Sequence, residues 1–156
     1  MSTEEAARSY FAAAAARDPE GMASHWHAEG IEDLVPIGIL RGPDEVRAFF
    51  TELFTAVPDF EFVVEQVTAG ERVAAVQWRA SGTFEGGPFQ GIDPTGRRVT
   101  TTGLAINRIV EGKLAETWID FDLVDLLRQL GAAPATDAGS VAAPGERAKG
   151  PGPVEP

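Results

Sequence analysis

The clearest structural signal in this chain is the segment VTTTGLAINRIVEGKLAETWIDF, residues 99–121. It contains two long runs rich in β-branched and apolar residues, 99–110 and 113–121, which is typical of strands with one buried face. Glu111-Gly112 separates the two runs and predicts a tight hairpin between them. The segment therefore predicts a pair of long antiparallel strands.

The same period of two continues upstream of this pair. Phe60–Glu65 begins one predicted strand, Val73–Thr83 forms a second, and residues 69–72 form the turn between them. A glycine-rich stretch that ends in the turn Asp93-Pro94-Thr95-Gly96 leads into the third strand. The sequence thus predicts an antiparallel meander of four long strands.

Two helices are predicted at the start of the chain. Ser2 and Glu5 form a capping box that opens a helix through an alanine run to about Arg17. Asp18-Pro19 opens a second helix, which is expected to pass through Trp26 and end near Gly30. A short strand, Ile31–Val35, is expected to follow.

Two further helices flank the meander. The helix after Gly42-Pro43 ends at Pro58, and its apolar residues follow the i, i+3, i+4, i+7 spacing of one buried face. The last helix is capped by Asp122 and ends at Gly131, with leucines on one side.

This order of elements predicts an α+β fold, in which a cone-shaped, curved antiparallel sheet wraps around the N-terminal helices. A cone of this kind leaves a pocket at its open end. Residues 1–131 form the predicted domain. Residues 132–156 consist mainly of Ala, Pro and Gly, and we expect a disordered tail there.

Composition excludes several classes of function. The chain has 13 Lys and Arg against 24 Asp and Glu, a net charge of −11, and its arginines are scattered, which argues against nucleic-acid binding. No apolar run reaches the roughly 20 residues of a membrane span. The N-terminus is acidic where a signal peptide is basic, and no cysteine is present, so a cytoplasmic location is expected.

Three stretches carry a resemblance to a known family: HWHAEGIED (25–33), GIDPTGRRV (91–99) and EGKLAETWIDFDLVDLLRQLG (111–131). Together they resemble the SnoaL-like polyketide cyclases of the nuclear-transport-factor-two-like superfamily, over roughly residues 4–131. The resemblance implies the cone fold, a hydrophobic pocket and a homodimer formed through the outer sheet face. It also implies catalysis without a metal or an organic cofactor.

The resemblance also implies which acidic residues to consider. Asp122 matches the family's general acid/base near the start of the last helix, although an aspartate there also serves as an N-cap. Of the neighbours Glu32 and Asp33, alternation turns only one inward, and Asp33 is the expected one. His27 is the third candidate catalytic residue. His25 and His27 are two residues apart and so cannot form a metal-binding pair on one helix face.

Candidate substrate-binding residues are aromatic or polar side chains with a reason to face the pocket. Aromatic walls suit planar ligands, and Gln77 and Arg79 share a strand face from which they would bind a ligand carbonyl if that face is concave. The candidates are Trp118, Trp26, Phe49, Gln77, Arg79 and His25.

These features predict a cofactor-independent cyclase or isomerase that uses general acid/base catalysis on a hydrophobic, ketone-bearing, polyketide-like small molecule. The alternative is a non-catalytic domain of the same fold that binds a small ligand or mediates dimerisation. An open pocket with converging polar groups favours the enzyme, whereas a cavity filled by its own side chains favours the alternative.

Overall fold

The structure, a computed structural model, describes residues 1–131. The predicted tail, 132–156, lies outside the described residues. The ten elements in chain order are α1 (Thr3–Ala15), α2 (Pro19–Ser24), β1 (Trp26–Leu34), β2 (Gly38–Arg41), α3 (Gly42–Ala56), β3 (Glu61–Ala69), β4 (Val73–Thr83), β5 (Arg98–Val110), β6 (Lys113–Phe121) and α4 (Leu123–Leu130).

The six strands form one sheet in the order β2-β1-β6-β5-β4-β3. Strands β3 to β6 form the predicted meander. Strand β1 pairs with β6 in parallel, and the other four strand pairs are antiparallel. Register shifts in β1, β3 and β5 mark irregularities of the kind that bend a sheet. The predicted α+β fold with a curved sheet around N-terminal helices is confirmed.

The predicted second helix is too long. Helix α2 ends at Ser24 with His25 as its C-cap, and Trp26 is the first residue of β1. Trp26 pairs with Leu114 of β6, a contact far away in the chain that overrides the local helical pattern. The short strand predicted at Ile31–Val35 is therefore the second half of a nine-residue strand.

Local chemistry explains the other boundaries. The Ser2–Glu5 capping box and the Asp18 and Asp122 N-caps form as predicted. In the β5–β6 hairpin, Glu111 and Gly112 have φ of 49° and 77°, the paired positive values that match the twist of the flanking strands.

The core lies between the helices and the inner face of the sheet. Helix α1 turns one stripe inward, and because most of this stripe is alanine the helix can approach the sheet closely. The buried residues of α1 are Ala6, Ala7, Tyr10, Phe11 and Ala14. Helix α3 contributes Phe49 and Phe50 from the other side. The helices thus cover the inner face without filling all of it.

Candidate functional site

A cavity of about 160 Å³ lies between the inner face of the sheet and helices α1, α3 and α4. Its lining is almost entirely apolar. The main aromatic side chains of the lining are Phe49, Phe62, Trp78, Phe84, Phe89 and Phe121. A largely preformed apolar cavity with few polar groups is the usual form of a small-molecule site.

Glu32 is the carboxylic acid of the lining, and it is completely buried. The Tyr10 hydroxyl, also fully buried, donates a hydrogen bond to Glu32 Oε1 over 3.0 Å. Glu32 Oε2 has no hydrogen-bond partner among the described residues. The cavity therefore holds one carboxyl group with one oxygen fixed and the other available.

The strand and helix positions explain why these two side chains meet. In β1, alternation turns Glu32 and Leu34 toward the core. Tyr10 lies on the buried stripe of α1, where its ring makes an edge contact with Trp26 at 5.8 Å between ring centroids. Trp26 thus fixes the tyrosine, and the tyrosine fixes the carboxyl group.

Burial governs the ionisation of this pair. Loss of hydration raises the pKa of Glu32 to about 8, and the hydrogen bond from Tyr10 offsets only part of that effect. Burial, and then the nearby Glu32 charge, raise the pKa of Tyr10 well above its ordinary value. At neutral pH Glu32 is therefore mostly protonated, and a change of about one pH unit alters its charge.

A row of buried polar residues continues from Glu32 across the sheet. Glu32 is aligned with Thr117 on β6, and Thr117 with Asn107 on β5. Both Thr117 and Asn107 are fully buried. Thr117 Oγ1 donates to Asn107 Oδ1 over 3.0 Å, and Asn107 Nδ2 donates to the Ala74 carbonyl over 3.1 Å. We call Tyr10, Glu32, Thr117 and Asn107 the buried polar row.

The opposite part of the cavity has an apolar rim, formed by α4 and the loop of residues 84–97. Phe84, Phe89 and Ile92 of the loop contribute to the lining, as do Leu126 and Leu130 of α4. The Gln90 backbone N–H donates to Glu52 Oε1 of α3 over 2.7 Å, which ties the loop to the helices. Helix α4 itself carries no buried residue.

Asp122 lies at this rim but not in the cavity. Its side chain is exposed, it is not part of the lining, and its Oδ1 accepts from the Asp125 N–H over 2.9 Å. Asp122 therefore faces solvent, because β6 ends just before it and leaves it at the exposed start of α4. Its role as acid/base stays a prediction.

Asp33 and His27 lie on β1 outside the lining. The structure turns Glu32 inward, so the expectation that Asp33 is the inward residue is wrong. His27 Nε2–H donates to the Val110 carbonyl over 2.7 Å, which ties β1 to the β5–β6 hairpin. Neither the Asp33 side chain nor the His27 side chain lines the cavity.

Of the predicted substrate-binding aromatics, Phe49 lines the cavity. Trp26 is buried behind Tyr10 and does not line it. Trp118 is half-buried, and its neighbours Thr117 and Ile119 take the inward positions of β6. His25 caps α2 and donates from Nδ1 to the Gly21 carbonyl over 2.6 Å.

Gln77 and Arg79 lie on the outer face of the sheet. Both are exposed, and Arg79 pairs with Glu65 of β3 at 3.5 Å, while Trp78 between them faces the cavity. The face they share is thus not the concave one, so the condition under which they would bind a ligand carbonyl in the pocket is not met. The homodimer through this face stays a prediction.

Two residues of the site were missed by sequence reasoning. The sequence pattern did not single out Tyr10 as a candidate, and it favoured Asp33 over Glu32. A usable signal existed, because a tyrosine on a buried helix stripe needs a partner for its hydroxyl. A glutamate on the strand that faces that stripe is such a partner.

Within residues 1–131, no group of three or more His, Asp or Glu side chains is arranged to hold a metal ion. Over the same range, no helix has both the length and the apolar character needed to cross a membrane. The ionisable side chains of the cavity lining are Glu32 and Tyr10.

Helices enclosed by a curved six-stranded sheet, with a carboxyl group in an apolar hollow, define a ketosteroid isomerase-like α+β fold. A protein from Catenulispora acidiphila described with that fold, in complex with trimethylamine, superposes with a TM-score of 0.70 at 13% identity, over 86% of this chain and 96% of that one. The family model for SnoaL-like polyketide cyclase matches residues 4–130, and the chain belongs to that family.

Two solved structures show the likeness at higher identity. AclR from Streptomyces galilaeus, suggested to be a hydroxylase, is 27% identical with a TM-score of 0.71, over 84% of this chain and 82% of that one. A protein from Jannaschia sp. CCS1, suggested to be a SnoaL-like polyketide cyclase, is 23% identical with a TM-score of 0.74, over 84% and 92%. No functionally curated protein matches the chain significantly.

Proposed function

We propose that this protein is a cofactor-independent cyclase or isomerase that moves a proton on a hydrophobic, ketone-bearing small molecule, with Glu32 as the general acid/base. The observation that carries the proposal is the position of Glu32: it is buried in the wall of an apolar cavity, with Oε1 held by Tyr10 and Oε2 without a partner in the described residues. Membership of a polyketide cyclase family supports the substrate class.

The chemistry follows from the two states of the carboxyl group. In its ionised form, Glu32 Oε2 removes a proton from the carbon next to a ligand carbonyl, and the electron pair of the C–H bond forms an enolate. Glu32 then returns the proton. In an isomerase the proton goes to another carbon, and in a cyclase it goes to the alkoxide formed when the enolate carbon attacks a second carbonyl. Each cycle leaves Glu32 unchanged.

The apolar surroundings adapt the carboxyl group to this task. A raised pKa makes ionised Glu32 a stronger base than an exposed carboxylate, and it keeps a proton available for the return step. Tyr10 donates to Oε1 and so leaves Oε2 as the oxygen that exchanges the proton. The almost wholly apolar lining disfavours water next to the enolate.

Exchange of hydrogen for deuterium on 2-tetralone, a small fused-ring ketone, tests the proposal without knowledge of the natural substrate. Wild-type protein in D₂O should speed exchange of the protons next to the carbonyl, followed by NMR. Glu32→Gln should reduce the protein-dependent rate by about 10²-fold or more, the usual size of a general-base contribution. In wild type the rate should rise with pH up to about 8 and then level off, because only the ionised form is active.

Asp122→Asn is the matched control, because asparagine is an equally good N-cap and the substitution removes the charge at the rim. It should keep the wild-type exchange rate. Loss of exchange in Asp122→Asn with retention in Glu32→Gln would reverse the assignment and return the role to Asp122.

The second candidate is a non-catalytic protein that binds a small hydrophobic ligand. It is favoured by the almost wholly apolar lining and by the exposure of Asp122. Saturable binding of 2-tetralone with no acceleration of exchange at any pH from 6 to about 9 would support this candidate against the enzyme.

A further inference from the structure

Trp78 is the largest side chain in the cavity wall, and its neighbours hold its ring in place. It lies on β4, is 6% exposed and contributes to the lining. Its indole stacks on Phe62 at 5.4 Å and meets Phe121 edge-on at 6.0 Å. A ring fixed on two sides presents its polar atom in one direction only.

That polar atom, the indole N–H of Trp78, is buried and has no acceptor among the described residues. An indole N–H is a donor only, and buried donors in folded proteins are almost always paired. The Trp26 indole lies against Tyr10, with whose hydroxyl it interacts, and it does not line the cavity. Of these two indoles, therefore, Trp78 is the one whose side chain lines the cavity.

Gly103 explains how the indole fits. It is the residue of β5 directly aligned with Trp78. A Cβ atom at position 103 would collide with the six-membered part of the indole and with the Asp120 carbonyl. The missing side chain thus allows the ring to lie across the neighbouring strand.

The pairing register of the strands shows where the Trp78 indole N–H lies relative to Glu32. Glu32 is aligned with Thr117 of β6, whereas Trp78 is aligned through Gly103 with Phe121 of the same strand. Thr117 and Phe121 are four residues apart, which is about 13 Å along a strand. The carboxyl group and the indole donor therefore belong to opposite parts of the cavity.

We propose that Trp78 is a ligand-binding residue whose N–H donates a hydrogen bond to an oxygen of the ligand, at the end remote from the carbon that Glu32 deprotonates. The ligand class is a fused-ring ketone with a second oxygen acceptor across the ring system. The inference rests on the proposed function in that it takes this cavity as the ligand site, but its test measures binding.

Two isosteric probes test for this hydrogen bond. 6-Methoxy-2-tetralone carries the acceptor oxygen, and 6-ethyl-2-tetralone has a methylene group in its place. In protein labelled with ¹⁵N at its three indoles, the methoxy probe should move the Trp78 indole proton downfield and the ethyl probe should not. Trp26→Phe and Trp118→Phe assign the signals, so this measurement leaves Trp78 itself intact. Equal shifts with both probes, or none at saturation, would overturn the inference.

Affinity gives an independent readout. Trp78→Phe keeps an aromatic ring but removes the donor. Its affinity for the methoxy probe should therefore fall by about three- to tenfold relative to its affinity for the ethyl probe. Trp118→Phe should leave the ratio of the two probes' Kd values as in wild type, since Trp118 does not line the cavity. An unchanged ratio in folded Trp78→Phe would contradict the inference.

The outcomes separate this inference from the proposed catalysis. Glu32→Gln should bind both probes with the wild-type preference while losing deuterium exchange. An indole shift without exchange in wild type would support Trp78 and remove the catalytic role. Exchange that depends on Glu32, with no shift of the Trp78 indole proton, would support the catalytic role of Glu32 and overturn the inference about Trp78.

Discussion

The buried polar row and the rim of the cavity each present a carboxyl group that accepts one hydrogen bond, yet the two groups are in opposite physical situations. Glu32 accepts from a buried phenol and has lost its hydration. Asp122 accepts from the backbone N–H of Asp125 and faces solvent. The first is costly to ionise, and the second caps the N-terminus of a helix.

The difference shows that environment assigns the roles. An exposed N-cap is already satisfied by its helix and needs no ligand. A buried carboxyl with an unpartnered oxygen lowers stability, and such a residue is more readily explained by function than by folding. The contrast between these two residues can be measured directly, and three substitutions do so.

The largest expected effect is on the pH dependence of stability. Glu32 has a folded-state pKa of about 8 against 4.5 for the ordinary carboxyl, so between these values the folded state holds a proton that the unfolded state has lost. The free energy of unfolding should therefore fall as pH rises, by about 1.4 kcal/mol per unit and about 5 kcal/mol in all. Urea unfolding of wild type and Glu32→Gln at pH 5, 6, 7 and 8 measures it.

In Glu32→Gln this pH-dependent part of the free energy of unfolding should vanish. The stability of the variant relative to wild type should therefore increase as pH rises. Asp122→Asn supplies the control and should retain the wild-type slope across the same interval. Parallel pH profiles for wild type and Glu32→Gln would show that Glu32 is ionised as easily as an exposed residue, and the contrast between the two regions would be lost.

A smaller effect is expected within the buried polar row. Thr117→Val removes the donor to Asn107 Oδ1 and leaves that oxygen buried without its partner. The variant should lose about 1–3 kcal/mol of unfolding free energy. Thr102→Val, at an exposed position of β5, is the matched control and should stay within about 0.5 kcal/mol of wild type. Equal losses of unfolding free energy in the two variants would mean that the hydrogen bonds of the buried polar row contribute no specific stability.

The smallest effect belongs to the rim. Asp122→Ala removes the α4 N-cap and should cost about 0.5–2 kcal/mol, seen in thermal or urea unfolding. Asp120→Ala, an exposed neighbour on β6, should change stability by less. A loss in Asp122→Ala far above this interval would indicate that Asp122 does more than cap its helix.

Local signals predicted most of the fold. Capping residues, prolines and the period of two set the ends of α1, α3, α4 and the four meander strands, because those features depend on near neighbours in the chain. Trp26 was assigned to a helix because its pairing with Leu114 depends on a strand far downstream. Strand β2, four residues long, was missed because it is too short to show a period.

The site was harder to predict because it depends on which face of each strand is concave. Alternation in β1 correctly allowed only one of Glu32 and Asp33 to face inward, but the choice between them is fixed by pairing with β2 and β6. The same ambiguity left open whether Gln77 and Arg79, or Trp78 on the other face of β4, would line the cavity. The motif match to Asp122 located a position along the chain, but it carried no information about burial.

The parallel pairing of β1 with β6 has a consequence for biosynthesis. About 80 residues separate the two strands, so at 5–20 residues per second the ribosome supplies the partner of β1 roughly 4–16 seconds after β1 itself. Until then Glu32 remains in water and carries its negative charge. Its capture at neutral pH therefore takes up close to one proton from the medium, and docking of the N-terminal half onto the hairpin should be more favourable in mildly acidic than in alkaline solution.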